Sequence, residues 1–414
     1  MVRICQFSAA AIRLERSGCG PIGPYLGGFA AWLSAQGYTQ QTGMRKIGLV
    51  VFLSRWLERN GIGLSRLDEQ LICDFTKSQR DLLSRREQVR HTLLQLIRHL
   101  QQTGAIPTSP PMIKATEMDR LLEDYGEFLT NERGLSRRTL ENYLPVARRL
   151  LIRKFGTAGL QLNRFSATDI NEFILHESST YSNSRVQLIT SALRSFLGFA
   201  HARGLTPMPL ASAVPAVANR GSSDLPRFLE SEEVRRILKT CRRSTACGRR
   251  DYAVLLLLAR LGMRSGEITN LCLEDIDWRA GEILIRGKSA REERLPLAAD
   301  VGRAVVSYLR QDRPRCASRR VFLRMKAPNV GFASSVAVVS ILRRALRRAG
   351  IKHKRKGTQL LRNSLATRML RRGASLTQIG QILRHELPQT TEIYATVDFV
   401  ALRKIAQPWP LNDK

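Results

Sequence analysis

Two arginines, a lysine, a histidine and a tyrosine, spread between residues 264 and 394 of a 414-residue chain, are the side chains best suited by type to chemistry. Arg264 closes the turn in "ARLGMRSGEI", Lys288 falls in "IRGKSAREERLPL", and Arg362 lies in "GTQLLRNSLAT". His385 and Tyr394 follow together in "LRHELPQTTEIY". A guanidinium is a planar fork of donors that matches the oxygens of a phosphate. A phenol, with an ordinary pKa of roughly 10, is neutral near pH 7 and becomes a nucleophile only as it loses its proton. Singly, each residue has a plain explanation. A turn arginine or hairpin lysine is usually solvated, and a tyrosine on a helix is usually packed. Their weight is joint: fixed cations in one order, ahead of one hydroxyl.

The rest of the chain must position these groups, and its charge says against what. Lys and Arg number 67 against 35 Asp and Glu, a net charge of +32. The sequence pI is near 11.1. Such an excess, dominated by arginine, favours a polyanionic partner, most often nucleic acid. A hydrophobic fraction of 43% with 25% charged residues is that of a soluble globular protein. The seven cysteines form no C-x-x-C pair and have no histidines at zinc spacing, which predicts reduced, packed thiols in a cytoplasmic protein and no metal site. No apolar run approaches the length of a membrane span, so no membrane partner is expected. Residues 1–18 lack a signal-peptide core and read as a loosely ordered lead-in.

Two proline-bearing stretches, "AIPTSPPMIK" and "LTPMPLASAVPAVANRGSSDLP", break helical periodicity and divide the chain into three segments. The first two resemble each other. "FAAWLSAQGYTQQT" parallels "YGEFLTNERGLSRRT", and each continues into a long helix and a shorter one, "EQLICDF" or "TDINEFI". This weak duplication predicts two small helical modules of related design. In the second, Leu121, Leu122, Tyr125, Phe128 and Leu129 recur at helical spacing, Gly134 ends the helix, Ser136 caps the next, and a long helix closes at Gly204. The third segment mixes periods. "SEEVRRILKTC" starts a helix without a full capping box, "RDYAVLLLLARLGMRSGEITNL" is a buried helix, a turn and a second helix start, and "GEILIRGKSAREERLPL" alternates as a hairpin. "VSILRRALRRAG" sets Ile341, Leu342, Ala345, Leu346 and Ala349 on one face. Helices around a small sheet give an α+β domain.

In type, order and local context, the run from "ARLGMRSGEITNL" through the "GKSAREERLPL" hairpin to "LLRNSLATRMLRRGASLTQIGQILRHELPQTTEIYATVD" resembles the tyrosine recombinases, or phage-integrase family. "FLTNERGLSRRTLENY" looks like that family's SAM-like core-binding domain. The resemblance implies α-helical SAM-like DNA-binding modules plus an α+β, mostly helical catalytic domain with a small β-sheet. Its expected domains are an additional N-terminal helical module at 1–104, a core-binding domain at 115–205, a catalytic domain at 226–406 and a tail at 407–414. The implied activity is site-specific recombination through a 3′-phosphotyrosyl intermediate, with no ATP, cofactor or metal. The implied partners are double-stranded DNA at specific recombination sites and, in the synaptic complex, three further copies of the chain, in the cytoplasm of a bacterium and associated with its nucleoid.

By the same resemblance Tyr394 is the nucleophile, Arg264 and Arg362 clamp the phosphate, Lys288 protonates the leaving oxygen and His385 donates to a non-bridging oxygen. Glu267 matches a position that buttresses Arg264. The family's usual motif is His-x-x-Arg followed by another histidine; here Gln359 and Asn363 stand in those places. A carboxamide hydrogen-bonds but cannot accept a proton near neutrality. Arg384 stands where many relatives have glycine, as an added cation beside the site or merely a solvated one. The alternative reading is a DNA-binding protein of the same fold whose strand cleavage Gln359 has impaired. Beyond Tyr394, "VDFVALRKIAQ" is apolar-periodic enough to dock on a neighbouring subunit.

Overall fold

Left-handed glycines and hydroxyl caps set the element boundaries of the helical modules. In the first, helix α1 (Leu26–Ala35) ends before Gly37, whose φ of +82° turns the chain. Thr39 then caps helix α2 (Gln40–Arg59) by accepting the Thr42 N–H. Helix α3 (Glu69–Ser78) starts under Asp68, which accepts the Leu71 N–H at 2.7 Å, and helix α4 (Arg86–Gln102) closes the module. Phe29, Leu33, Ile47, Leu53, Phe75, Leu93 and Leu96 fill its core.

The second module repeats the plan. Helix α5 (Glu117–Glu127) widens into a π-helical turn at Phe128–Glu132, and Gly134 (φ +59°) reverses the chain. Ser136 caps helix α6 (Arg137–Phe155), its hydroxyl paired with that of Thr139 rather than with a backbone N–H. Helices α7 (Ala167–Thr180) and α8 (Asn183–Ala202) follow, and Gly204 (φ +69°) stops the last. The spacing of glycine and hydroxyl, two residues apart before the long helix, is the same in both modules.

The C-terminal body begins with α9 (Ser231–Lys239), whose cap falls one residue earlier than the sequence suggested. The Glu233 carboxylate accepts the Glu230 N–H at 3.0 Å, so a glutamate rather than Ser231 sits at the cap. Helix α10 (Ala246–Arg260) is buried from Ala253 to Ala259 and packs on α12 (Ala299–Gln311) and α14 (Gln359–Leu370). Between them lie α11 (Ser265–Asn270) and an antiparallel sheet in the order β1 (Ile276–Asp277), β2 (Glu282–Arg286), β3 (Glu292–Pro296). Ile283 pairs with Leu295 and Arg286 with Glu292, as the alternation predicted for a hairpin. Helix α13 (Val336–Arg348) buries Ile341, Leu342, Ala345 and Leu346, and the short α15 (Leu376–Leu383) and α16 (Gln389–Glu392) complete the body. The fold is mostly helical with one small sheet.

This computed structural model describes residues 20–79, 86–107, 116–156, 159–217, 227–287, 292–353 and 357–394. The expected N-terminal lead-in, Lys288 and everything after Tyr394, including the proposed docking tail, lie outside them. The chain divides into two compact units, Met1–Thr108 with Asp224–Lys414, and Ser109–Ser223. Among the described residues no helix is long and apolar enough to cross a membrane.

Candidate active site

Four helix ends meet where the candidate residues gather. The first is the end of α10. Gly262 has φ +58°, and a Cβ there would stand 2.7 Å from the Leu383 Cδ2 atom, so only glycine both turns the chain and admits α15. That turn delivers Arg264 to the N-terminus of α11. Its backbone N–H donates to Glu267 Oε2 at 2.7 Å and its Nη1 to Glu267 Oε1 at 2.9 Å. Glu267 thus buttresses Arg264, as the family resemblance implied, while the Arg264 side chain stays 44% exposed.

The second is the start of α14, a helix buried on nearly every side. Arg362 is only 2% exposed. Its Nη1 donates to the Gly262 carbonyl and its Nη2 to the Leu383 carbonyl, tying α14 to both neighbouring turns. Burial, with Arg264 and Arg384 close by, draws its guanidinium down to about 10, still high enough to keep it charged near neutrality. Leu365, on the same helix, joins Ile379, Leu383 and Tyr394 in a small apolar cluster that seats the tyrosine.

The third is the end of α15, and here one expectation is corrected. Arg384 is not a solvated cation: it is 7% exposed and lies against the site's framework. Its backbone is left-handed, φ 56° and ψ 54°, the conformation glycine would adopt freely. Its Nη2 donates to Glu267 Oε2 at 2.8 Å, its Nη1 to the Ile382 carbonyl at 3.1 Å, and its own carbonyl accepts from Arg264 Nη2 at 3.0 Å. Arg384 therefore grips Arg264 twice, through Glu267 and through its backbone.

The fourth carries the histidine and the phenol. The His385 Nδ1 and Thr391 Oγ1 atoms share a hydrogen bond of 2.7 Å. Burial first, then the charges of Arg362, Arg264 and Arg384, hold the imidazole down to about 4, so it is neutral near pH 7. When its Nδ1 accepts the Thr391 proton, the ring N–H sits on Nε2. The imidazole stacks on the Tyr394 ring at 6.2 Å with 11° between planes. Tyr394 is fully buried, and its hydroxyl donates to Asn363 Oδ1 at 3.0 Å. Burial raises its pKa, with the Arg362 charge opposing. Asn363 is held in turn: its Nδ2 donates to the Arg227 carbonyl at 3.0 Å, and Gln359 Nε2 donates to its Oδ1 at 3.1 Å.

So Arg264, Arg362, His385 and Tyr394 come together, and Gln359 reaches the phenol only through Asn363. A cleft of about 350 Å³ opens beside them, lined by Arg264, Glu267, Arg384 and His385 and, on the hairpin side, by Ile285 and Gly287. Lys288 follows Gly287 in sequence and lies outside the described residues. Sequence reasoning did not single out Asn363 as the phenol's direct partner, nor Thr391 as the histidine's. The i, i+4 spacing of Gln359 and Asn363 on a helix was the available signal for the first; nothing marked the second.

Comparison with known proteins agrees with this geometry. Residues 227–400 match the phage integrase family model, and residues 122–204 match the phage integrase N-terminal SAM-like domain. The integrase/recombinase y4rA of Sinorhizobium fredii is 42% identical over 98% of both chains. The tyrosine recombinase XerD of Mycobacterium tuberculosis is 31% identical over 69% of this chain and 95% of its own. In fold, the chain is similar to the XerH site-specific recombinase solved on its palindromic difH substrate, with a TM-score of 0.53, 18% identity, and coverage of 68% of this chain and 83% of that one. The chain belongs to the tyrosine recombinase, or phage integrase, family of enzymes that cleave and rejoin DNA strands.

Proposed function

We propose that this recombinase acts on double-stranded DNA at specific sites, with Tyr394 as nucleophile. The Tyr394 oxygen attacks phosphorus as the phenol loses its proton, and the bond to the 5′ oxygen breaks. A 3′-phosphotyrosyl link and a free 5′-hydroxyl result. A 5′-hydroxyl from a second strand then attacks the link, restores the phosphodiester and frees the tyrosine, so no ATP is consumed. Negative charge builds on the non-bridging oxygens as phosphorus becomes five-coordinate, and fixed cations aimed there stabilise it. Arg264 and Arg362 each use only part of their five N–H groups in the bonds described, which leaves donors for phosphate. His385, neutral, offers its remaining ring N–H to the same oxygens, and Lys288 protonates the departing 5′ oxygen. The supporting observation is that Arg264, Arg362 and the His385–Tyr394 pair gather from three separate stretches of chain, with Arg264 and His385 lining the cleft and Arg362 and Tyr394 buried behind it.

In this reading residues 115–205 form the core-binding domain and 226–406 the catalytic domain, which together hold the DNA. Residues 1–104 form an added module for flanking or arm-type DNA, and 407–414 a short tail. Four copies assemble across two sites, in the bacterial cytoplasm. Because Tyr394 is buried in the unbound chain, binding must uncover it before attack. A nicked suicide duplex carrying the recombination site tests the chemistry directly. Wild-type protein should become covalently attached to the DNA, and Tyr394→Phe should not. Tight binding with no adduct in the wild type would overturn the proposal and leave a DNA-binding protein of this fold.

A further inference from the structure

Residues 227–230, the first described stretch of the C-terminal body, form a strap along the active-site helix α14 and are fastened to it at both ends. The Arg227 carbonyl accepts from Asn363 Nδ2 at 3.0 Å, and the Leu229 N–H donates to Ser364 Oγ at 2.8 Å. Ser364 is itself held, its hydroxyl donating to the Leu360 carbonyl one turn earlier at 2.8 Å. At the C-cap of α14, Arg371 Nη1 donates to Glu230 Oε2 at 2.8 Å, and its guanidinium lies 5.0 Å over the Phe228 ring. The Arg371–Glu230 pair is about half exposed and weak alone. The Ser364 bond is buried, and Leu229 packs into the core beside it.

We infer that this strap is a restraint on the nucleophile, with Ser364 and Arg371 as positioning residues that act through Asn363; the inference rests on Tyr394 being that nucleophile. Asn363 has two arms, and both are engaged. Its Nδ2 is on the Arg227 carbonyl, and its Oδ1 accepts the Tyr394 hydroxyl at 3.0 Å. A carboxamide is planar, so its oxygen cannot swing away from the phenol unless its nitrogen leaves the strap. Gln359 donates to the same oxygen at 3.1 Å and does nothing to fix the nitrogen end. That end is fixed by a main-chain carbonyl, which stays in place only while the strap is seated, and Ser364 and Arg371 seat it. Tyr394 is fully buried behind the cleft that Arg264 and His385 line. The bond that orients the phenol therefore also holds it back from a phosphate in that cleft, and its strength is set by a stretch of chain 136 residues before Asn363.

The test uses the full-length chain. Tetranitromethane nitrates tyrosine rings that reach solvent, and mass spectrometry reads each site; Tyr308, equally buried in the same body, is the internal standard. The double variant Ser364→Ala/Arg371→Gln unseats the strap. Losing contacts of this kind shifts a population by about 5- to 10-fold, so nitration of Tyr394 should rise by that factor while Tyr308 stays at the wild-type level. Single-turnover adduct formation on the nicked duplex should rise by the same factor at unchanged DNA affinity, a gain that a damaged fold cannot produce. Arg372→Gln, which removes a charge from the adjacent exposed residue, should match the wild type in both assays. In an Asn363→Ala background the phenol is already released, so the strap variant should add nothing to nitration. Unchanged Tyr394 nitration in the strap variant, a rise shared by Tyr308, or a full further rise in the Asn363→Ala background would overturn the inference. A slower adduct at unchanged affinity would also overturn it, by making the strap an aid to attack. Absence of adduct from every protein would instead defeat the reading of Tyr394 as nucleophile, and the nitration comparison would still decide the restraint.

Discussion

Replacing Arg384 by glycine sets two effects of opposite sign against each other. Arginine holds a left-handed backbone at this position, which costs an L-residue roughly 1–2 kcal/mol that glycine would not incur. Against this, the Arg384–Glu267 pair is broken, and both side chains are buried, at 4% and 5% exposure. Removing one partner of a buried pair costs about 3–5 kcal/mol, because the other charge is left uncompensated. Glu267 would keep its two bonds from Arg264, which puts the cost near the lower end, about 3 kcal/mol. Arg384→Gly should thus lose about 1–2 kcal/mol of stability. Arg384→Ala loses the pair without relieving the backbone, so it should be the less stable of the two by about 1 kcal/mol. Urea unfolding of the three proteins, followed by a probe in the C-terminal body, measures the order. The activity readout is separate. Freed from Glu267's second anchor, Arg264 is misaimed, and small displacements of a positioning group cost about 10²-fold in rate. Single-turnover adduct formation should fall by that order while DNA affinity changes little. A glycine variant as stable as the wild type, or glycine and alanine variants of equal stability, would refute the idea that a buried ion pair holds a strained residue in place.

Gly262→Ala should destabilise the C-terminal body by about 2–4 kcal/mol in the same unfolding assay, from the left-handed backbone together with the clash against Leu383. Gln359→His should raise the adduct rate by no more than about 10²-fold, since Gln359 meets the phenol only through Asn363. Asn363→His puts an imidazole at the hydroxyl itself and should give the larger gain in single-turnover cleavage. For His385 the folded pKa, about 4, lies below the unfolded value of 6.5, so the unfolded chain binds more protons between them. Its contribution to stability should be complete above pH 6.5 and be lost as pH falls toward 4. Unfolding midpoints measured across that window should flatten in His385→Gln relative to the wild type.

Much of this site was legible in the sequence because its residues recur together in one order, each in a recognisable local context. Arg264 follows a turn glycine, and the family resemblance set Glu267 beside it; that Glu267 also bonds the Arg264 N–H came from the structure. Arg362 opens a helix whose apolar residues recur on every side, which is why the helix is buried. In the second module the stop at Gly134 and the start at Ser136 were equally visible, and the first module repeats them at Gly37 and Thr39. What stayed hidden depends on distant parts of the chain. Arg384 is separated from Glu267 by 117 residues, and only that contact distinguishes a buried framework arginine from a solvated one. Its left-handed backbone was hinted at by the glycine of relatives, but the residue itself argued the other way.

The two carboxamides bear on which part of the reaction the fold protects. Stabilising charge on phosphorus needs cations that are fixed and permanently charged, and here Arg264 and Arg362 are tied to three backbone carbonyls and one carboxylate. None of those bonds involves Gln359 or Asn363. Moving a proton is a different requirement, and the residue in hydrogen bond with the Tyr394 hydroxyl is an amide oxygen that accepts a hydrogen bond without taking the proton. Asn363 and Gln359 therefore orient the phenol and keep it neutral, while His385, held neutral by burial and three arginines, is available as a donor rather than as a second cation. Electrostatic stabilisation supplies most of the rate enhancement in phosphoryl transfer, and in the proposed mechanism it falls to Arg264 and Arg362, which the bonds above hold in place. The two carboxamides bear instead on proton transfer from the phenol, a separate contribution of about 10²- to 10⁴-fold. A chain lacking both histidines can therefore keep the geometry of a strand-cleaving enzyme.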